Sequence, residues 1–215
     1  DNDGSDRLQF RHAMVRDAAY EGLPFRKRRE LHIRAGEILL ERFVGEEDSI
    51  ADILALHFSE GGDAEKAWRF CRVAGDHSLE MYANVEAATQ FERAIEAARR
   101  LASITGKDEL DVHIKLGDVR ERLGEFDASL AAYQRASRLA VGDPRSEGTV
   151  LLRRARAKER AGRYSAALVE ATKARKLADL QHDDSLRELR VKALGQAASI
   201  RQAQQKPREA LAAAE

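Results

Sequence analysis

The sequence predicts an all-α protein in which antiparallel helix hairpins stack into a right-handed superhelix. Three observations lead to this prediction: apolar residues recur at helical spacing, strand-forming residues are scarce, and one helix pattern repeats. Hydrophobic residues make up 43% of the 215 residues and charged residues 34%, whereas aromatic residues make up only 6% and prolines number three. That composition favours long, partly exposed helices over β-strands, which are rich in aromatic and β-branched side chains.

Turn residues divide the first half of the chain into five helical segments. Pro24 is placed to open the second segment, because a proline in the first helical turn has no amide hydrogen bond to lose. Gly62 and Asp63 supply a helix stop and then a capping side chain for the fourth segment. The predicted segments are 11–22, 24–44, 50–60, 64–81 and 85–103.

The second half is divided in the same way, into segments of about 13 to 20 residues, which are ordinary helix lengths. Glycine, proline and short polar residues mark each predicted break, because they favour turns or end helices. The predicted breaks are Thr105-Gly106-Lys107, Gly124, Gly142-Asp143-Pro144, Gly162, His182-Asp183-Asp184 and Gln205-Lys206-Pro207.

Four segments share a packing pattern of three residues. A central residue is preceded by a small residue four positions earlier and followed by a second small residue three positions later. Small residues let two helix backbones approach closely, and the central side chain fills the space between them. From Ala87 through Ser129 and Ala167 to Ala210, equivalent small residues recur every 38 to 43 residues, a spacing longer than the shortest helix-hairpin repeats of about 34 residues. The triplets are Ala67/Cys71/Ala74, Ala87/Phe91/Ala94, Ser129/Tyr133/Ala136 and Ala167/Ala171/Ala174.

The most complete copy consists of Leu116, Gly117, Gly124, Phe126, Ser129, Tyr133 and Ala136. This pattern resembles the tetratricopeptide repeat, and the resemblance extends over about residues 50 to 215. The next copy has Arg154 and Ala155 where the repeat has Leu-Gly, and the last has Ala210 and Ala214 without an aromatic residue. The resemblance implies stacked hairpins around a groove that takes up a peptide or a helix. An ordinary helical bundle is the alternative.

A second resemblance rests on the stretches FRHAMVRDAAYEGL (10–23), RKRRELHIRAGEILLERF (26–43) and LALHFSEGGDAEKAWRFCRVAGDHS (54–78). They are similar to the junction after the ATPase module in large bacterial multidomain signalling proteins, whose typical string has Leu at the position of Met14. Those proteins join an AAA-like or STAND ATPase to tetratricopeptide repeats. Many also carry a class III adenylate or guanylate cyclase domain or a LuxR-type DNA-binding domain.

The second resemblance implies a nucleotide site upstream of this chain and three regions within it. Residues 1–45 would be a connector or the tail of the ATPase module, and residues 46–104 would be degenerate repeat-like hairpins. Residues 105–215 would be tetratricopeptide repeats cut short at the carboxyl end. The chain lacks an initiator methionine and ends inside a helical pattern, so we expect it to be a fragment of a longer protein.

The residue types that catalyse reactions or bind cofactors do not form a recognisable site. Thr105-Gly106-Lys107 is followed by Asp108, so it lacks the hydroxyl that a phosphate-binding loop carries after its lysine. No two of the six histidines are three or four residues apart, so a metal site would require long-range convergence. Cys71 is the only cysteine and is predicted to be a buried packing residue. We therefore expect no catalytic, cofactor-binding or metal-binding residues and no enzyme activity in this chain, and the activity of the parent protein stays open.

Charge and hydropathy indicate whether the chain is suited to bind nucleic acids or to enter membranes. Lys plus Arg and Asp plus Glu both number 37, so the formal net charge is +0. The basic runs at 26–29 and 153–156 make nucleic-acid binding the second class considered. However, Glu30, Glu37, Glu41 and Glu159 follow those runs and predict ion pairs within the helices. No stretch approaches the roughly 20 apolar residues of a membrane span, and no secretory signal is present, so a cytoplasmic location without membrane or nucleic-acid contacts is expected.

The candidate peptide groove is assigned to the first helix of each hairpin. Some tetratricopeptide domains clamp a terminal carboxylate with Lys and Asn on these helices, but this chain has Ile114, Asp118, Leu152 and Arg156 at those places. The expected function is a non-catalytic regulatory module that binds a protein, a peptide or other domains of its parent; the alternative is an arm of a LuxR-type regulator. The oligomeric state stays open. The candidate groove residues are Asp111, Ile114, Asp118, Glu121, Leu152, Arg156 and Glu159.

Overall fold

The computed structural model describes residues 13–180 and 186–212, and within these ranges it contains helices and no β-strand. The prediction of an all-α protein is confirmed. A short 3-10 helix, Glu47–Ile50, precedes the third of the ten α-helices in the described residues. The α-helices are α1 (Ala13–Glu21), α2 (Phe25–Arg42), α3 (Ala51–Gly61), α4 (Ala64–Glu80), α5 (Asn84–Ala98), α6 (Gly106–Arg122), α7 (Phe126–Leu139), α8 (Pro144–Arg160), α9 (Tyr164–Leu180) and α10 (Arg187–Ala212).

From α2 onward, successive helices pack against each other. The pairs α4/α5, α6/α7 and α8/α9 make the most extensive contacts, and α6 also touches α8, which in turn touches α10. The buried apolar residues of the described ranges form four separate clusters along the chain. The core is therefore a row of local contacts, as in solenoid proteins whose units contact only their neighbours.

The small-residue pattern read from the sequence marks buried positions. Each residue of the four triplets is at most 3% exposed, and Phe91, Tyr133 and Ala171 are fully buried. This outcome follows from helical geometry, because residues four and three apart lie on one face of a helix and enter the same contact together. The predicted packing positions are confirmed.

A glycine on the first helix of a hairpin faces an aromatic ring on the second. A Cβ added to Gly75 would lie 2.5 Å from Phe91, and one added to Gly117 would lie 2.3 Å from Tyr133. In each pair the aromatic residue lies sixteen positions after the glycine. The ring thus occupies the volume of the missing side chain, which explains why the Leu-Gly position of this pattern requires glycine.

Three turns between paired helices use the left-handed backbone conformation. Gly124 has φ +78° and Gly162 has φ +73°, as expected for the glycines at the predicted breaks. The equivalent residue of the α4–α5 turn is Tyr82, with φ +58° and a side chain that is 83% exposed. A non-glycine residue in this region is strained because its Cβ approaches the backbone.

Two helix ends differ from the predicted segments. Helix α5 ends at Ala98 instead of residue 103, and the following residues Leu101 and Ile104 pack against the first core cluster from a non-helical connection. The predicted break at 205–207 is wrong, because α10 continues to Ala212. A helix can continue through Pro207 when it gives up the one hydrogen bond that proline cannot donate. The predicted start at residue 11, the break at 182–184 and Ala214 lie outside the described residues.

We expect Gly117→Ala to destabilise the protein by about 1–3 kcal/mol, because the added methyl group would overlap the Tyr133 ring. Urea denaturation followed by circular dichroism measures the change. Gly195→Ala is the matched control: nothing lies within 4 Å of its added Cβ, so it should stabilise α10 by about 0.5–1 kcal/mol. Equal effects of the two substitutions would contradict the proposed ring contact.

Replacement of Tyr82 by glycine should raise the free energy of unfolding by about 0.5–1 kcal/mol, because it relieves backbone strain and removes little buried surface. The reciprocal change, Gly124→Tyr, introduces the same strain in the α6–α7 turn and should cost about 1 kcal/mol. Thermal denaturation of both variants checks the pair. Destabilisation by Tyr82→Gly would show that the tyrosine side chain makes a compensating contact.

Candidate interaction site

Helices α6, α8 and α10 carry a layer of charged and polar side chains that includes most of the predicted groove residues. Asp111, Asp118 and Glu121 lie on α6, and Arg156 and Glu159 lie on α8. The structure joins Asp118, Glu121 and Arg156 directly through hydrogen bonds. Asp118 and Glu121 are therefore engaged by α8, whereas the sequence predicted that they line an open groove.

Glu121 is the centre of this network and is only 1% exposed, which corrects the expectation of a groove-facing side chain. Its carboxylate accepts a hydrogen bond from Arg156 Nε at 2.9 Å and one from Arg160 Nη1 at 3.1 Å. Asp118 accepts from Arg156 Nη2 at 3.1 Å and also pairs with Arg153. Charge-assisted bonds of this kind are stronger than neutral ones, so they hold α6 against α8.

Tyr133 connects this ion network to the apolar core. Its hydroxyl donates to Asp118 at 2.7 Å, while its ring packs over Gly117. Burial, together with the charge of Asp118, raises the pKa of Tyr133 above its ordinary value. Burial works against the charge of Arg156, but the hydrogen bonds to Glu121 raise the pKa of its guanidinium. Both groups therefore keep their protonation state near neutral pH.

Similar contacts continue on either side of the network. Lys115 of α6 binds Asp76 of α4 at 2.8 Å and Asp111 of its own helix at 2.9 Å. Glu159 of α8 accepts from Ser199 of α10 at 2.8 Å and also from Gln196. Alternate helices are thus joined in the order α4, α6, α8 and α10. Sequence reasoning did not identify these partners, because charges on a shared helix face do not reveal which neighbouring helix they meet.

A groove of about 520 Å³ lies between α8 and α10. Leu152 and Arg156 are among its lining residues, whereas Ile114 packs against the second core cluster. Four cationic side chains and one carboxylate surround the apolar Leu152 and Leu189. The residues that line this α8–α10 groove are Arg145, Thr149, Leu152, Arg153, Arg156, Glu188, Leu189, Lys192, Gly195 and Gln196.

The first basic run engages both its own helix and neighbouring elements. Arg26 pairs with Glu30 at 3.2 Å, as predicted for residues four apart on a helix. Arg28 lies over the Tyr20 ring, and Arg29 donates to the Gly61 carbonyl at 3.0 Å. Glu37 pairs with Lys66 of α4 instead of with the basic run.

The second basic run pairs mainly with other helices. Arg153 and Arg156 bind α6 carboxylates, and Arg154 binds the buried Glu170 of α9 at 3.0 Å. The prediction that Glu159 pairs with this run is wrong, since Glu159 is bound by Gln196 and Ser199 of α10. Intramolecular ion pairs therefore engage these arginines.

The remaining sequence candidates have structural roles. Cys71 is buried beside Ser59, and burial raises the pKa of its thiol, as expected of an inert packing residue. Thr105 accepts the amide hydrogen of Asp108 at 3.2 Å, so it caps α6. Within residues 13–180 and 186–212, no group of three or more His, Cys, Asp or Glu is arranged to hold a metal ion. In the same ranges, every helix is too short or too polar to cross a membrane.

No protein-family model matches the chain, and a search of the curated proteins finds no match. The α8–α10 groove and the ion pairs behind it are the features from which a function can be argued.

The Glu121 network yields a stability prediction. We expect Glu121→Gln to lower the free energy of unfolding by about 2–3 kcal/mol, because Arg156 and Arg160 would lose the buried negative charge they share and one acceptor oxygen would become an NH2 donor. Glu96→Gln is the control, since Glu96 pairs with Arg99 and Arg100 at the exposed surface of one helix and should contribute less than about 1 kcal/mol. Urea denaturation of both variants measures the difference, and equal effects would contradict a central role for Glu121.

Proposed function

We propose that this chain is a non-catalytic protein-interaction module of the tetratricopeptide type. In this proposal the hairpins form a right-handed superhelix, and the α8–α10 groove binds a segment of a partner. The observation that carries it is the groove itself, about 520 Å³ in volume and lined by one face of each helix. Consecutive hairpins with glycine-to-ring contacts support the same assignment.

The electrostatics of the groove favour binding over proton transfer. Arg153 and Arg156 are anchored by carboxylates of α6, so their positions are set before a partner arrives. The raised pKa values of Arg156 and Tyr133 move both groups further from the neutral range in which a general acid or base works best. Preorganised charges reduce the entropic cost of binding an oppositely charged group.

The groove also indicates the chemistry of its partner. Arg145 and Lys192 are exposed at its edges, and Arg153 and Arg156 lie on its α8 side. Among the described residues that line it, Glu188 is the only acid. Leu152 and Leu189 provide apolar surface between these charges. A segment that carries carboxylates on either side of an apolar residue would complement both features. That segment would belong to a separate protein or to another domain of the parent chain.

The junction-like stretches near the amino end support a place within a larger protein. They favour a bacterial cytoplasmic signalling protein in which an ATPase module precedes these hairpins and a nucleotide cyclase is the output. In that setting the hairpins would regulate the ATPase or the cyclase through contacts with them. The neighbouring coding sequence tests this directly, because a cyclase signature would support the proposal and a helix-turn-helix domain would favour a transcriptional regulator.

The binding proposal is tested with a peptide library displayed on phage, followed by fluorescence titration of the selected peptides. We expect selected peptides to be acidic and apolar. The double variant Arg145→Glu/Lys192→Glu should weaken their binding at least tenfold, because each reversal replaces attraction by repulsion at the groove edge. The affinity of the unaltered protein should also fall as salt is raised.

Lys173→Glu/Lys176→Glu is the matched control, since it makes the same charge change at two exposed positions of α9. This variant should bind the selected peptides as tightly as the unaltered protein. Equal loss in both double variants would point to a nonspecific charge effect. Nucleotide turnover by the purified chain would contradict a purely binding role.

A further inference from the structure

Two histidines far apart in the sequence meet at the joint between α2 and α3. Nδ1 of His32 lies 3.0 Å from Nδ1 of His57, and Nε2 of His32 lies 2.9 Å from the hydroxyl of Tyr20 on α1. A hydrogen-bonded chain therefore runs through the first three helices. The contact between the two histidines spans 25 residues, so no local spacing in the sequence reveals it.

The two imidazole rings are arranged for a single hydrogen bond, which lies close to the line that joins their centres. The ring centres lie 5.2 Å apart, which is close to the longest separation that a 3.0 Å nitrogen contact allows. The two nitrogens therefore point almost directly at each other. Two ligands of one metal ion would instead converge on it at an angle of about 90–110°.

Such a contact accommodates only one proton. One Nδ1 must carry hydrogen and donate it, and the other must accept it with its lone pair. If both rings carry a proton on Nδ1, two N–H groups and two positive charges oppose each other at the same point. Burial, and secondarily the charge of His32, lowers the pKa of His57.

Two cationic side chains lie beside this chain of hydrogen bonds. The guanidinium of Arg28 lies 5.3 Å from the centre of the Tyr20 ring, and Arg29 bonds to the Gly61 carbonyl at the end of α3. Among the residues whose side chains the structure describes, the charged groups three or four positions from Tyr20, His32 or His57 are Asp17 of α1, Arg28 and Arg29 of α2, and Glu60 of α3. Glu37 of α2 pairs with Lys66 of α4.

We propose that the His32–His57 contact is a proton-sensitive joint, which holds α1 and the neighbouring turn of α2 on α3 at neutral pH and weakens that hold as the pH falls. Helix α2 keeps two other attachments to α3, since Arg29 donates to the Gly61 carbonyl and Gly36 faces the Phe58 ring, which an added Cβ would meet at 2.7 Å. The weaker hold would therefore change the mobility of the amino-terminal helices without dismantling the hairpins that follow. This regulation is independent of what the α8–α10 groove binds.

The sign of the effect follows from proton linkage. Because the closed joint lowers the pKa of His57, the open joint binds protons more readily. The stabilising contribution is therefore complete above the ordinary histidine pKa of about 6.5 and is lost as the pH falls below it.

The test is hydrogen–deuterium exchange at about pH 7.5 and about pH 5.5, corrected for intrinsic exchange rates. These two values lie on either side of the ordinary histidine pKa of about 6.5, and the measured quantity is the protection of backbone amides. We expect amide protection in α1 and in the residues of α2 around His32 to be lower at the lower pH, because the open joint binds protons more readily. Protection in α8 and α9, which contain no histidine, should stay unchanged. His57→Gln keeps a polar side chain without titrating, so it should abolish the response.

His77→Gln is the matched control, because His77 is exposed on α4 and should leave the response intact. A full response in His57→Gln, no response in the unaltered protein, or an equal loss of protection in all helices would overturn the proposal. Nitrogen-15 NMR of the imidazoles gives a second readout that does not depend on a variant. A lowered pKa of His57 is expected there, and a His57 pKa at or above its ordinary value would also overturn the proposal.

Discussion

The close approach of a glycine to an aromatic ring sets the geometry on which most of this protein depends. At Gly75–Phe91 and Gly117–Tyr133 the ring lies where a side chain of the first helix would be, so the paired helices pack at short distance. Tyr133 extends this contact, because its hydroxyl reaches Asp118 while its ring stays in the core. One side chain thus connects the packing of a hairpin to the ion pairs that hold the next hairpin in place.

The third hairpin, α8 and α9, has alanine in place of both the glycine and the ring. Ala155 and Ala171 occupy the equivalent positions and share a buried cluster with Ile200 of α10. Helix α10 accordingly packs against both α8 and α9, and Leu189 lies over Gly148 at a distance that leaves no room for a Cβ. The α8–α10 groove lies beside the contact of Leu189 with Gly148, where α10 approaches α8.

Local rules predicted the helices and their buried faces, whereas contacts between distant segments required the structure. The triplet around Tyr133 was found because periodicity and side-chain volume are properties of one helix. Glu121 was assigned to an open groove because periodicity identifies a face without showing what covers it; here Arg156 and Arg160 of α8 cover it.

Tyr82 was not recognised as a turn residue, because the left-handed conformation is predicted from sequence mainly at glycine. Pro207 was predicted to end a helix, but α10 continues through it. The His32–His57 contact was not predicted, because the two residues lie on different helices and are 25 positions apart.

The two ends of the chain differ in how their polar contacts respond to protons. In the carboxyl-terminal half, raised pKa values keep Arg156 charged and Tyr133 protonated near neutral pH, and α7 to α9 contain no histidine. The histidines whose pKa is lowered, His57 and His113, lie on α3 and α6. Acidification therefore acts at α3 and α6, whereas Arg156 beside the α8–α10 groove keeps its charge. Under the two proposals above, the first helices change their attachment while the cationic side of the groove stays as it is.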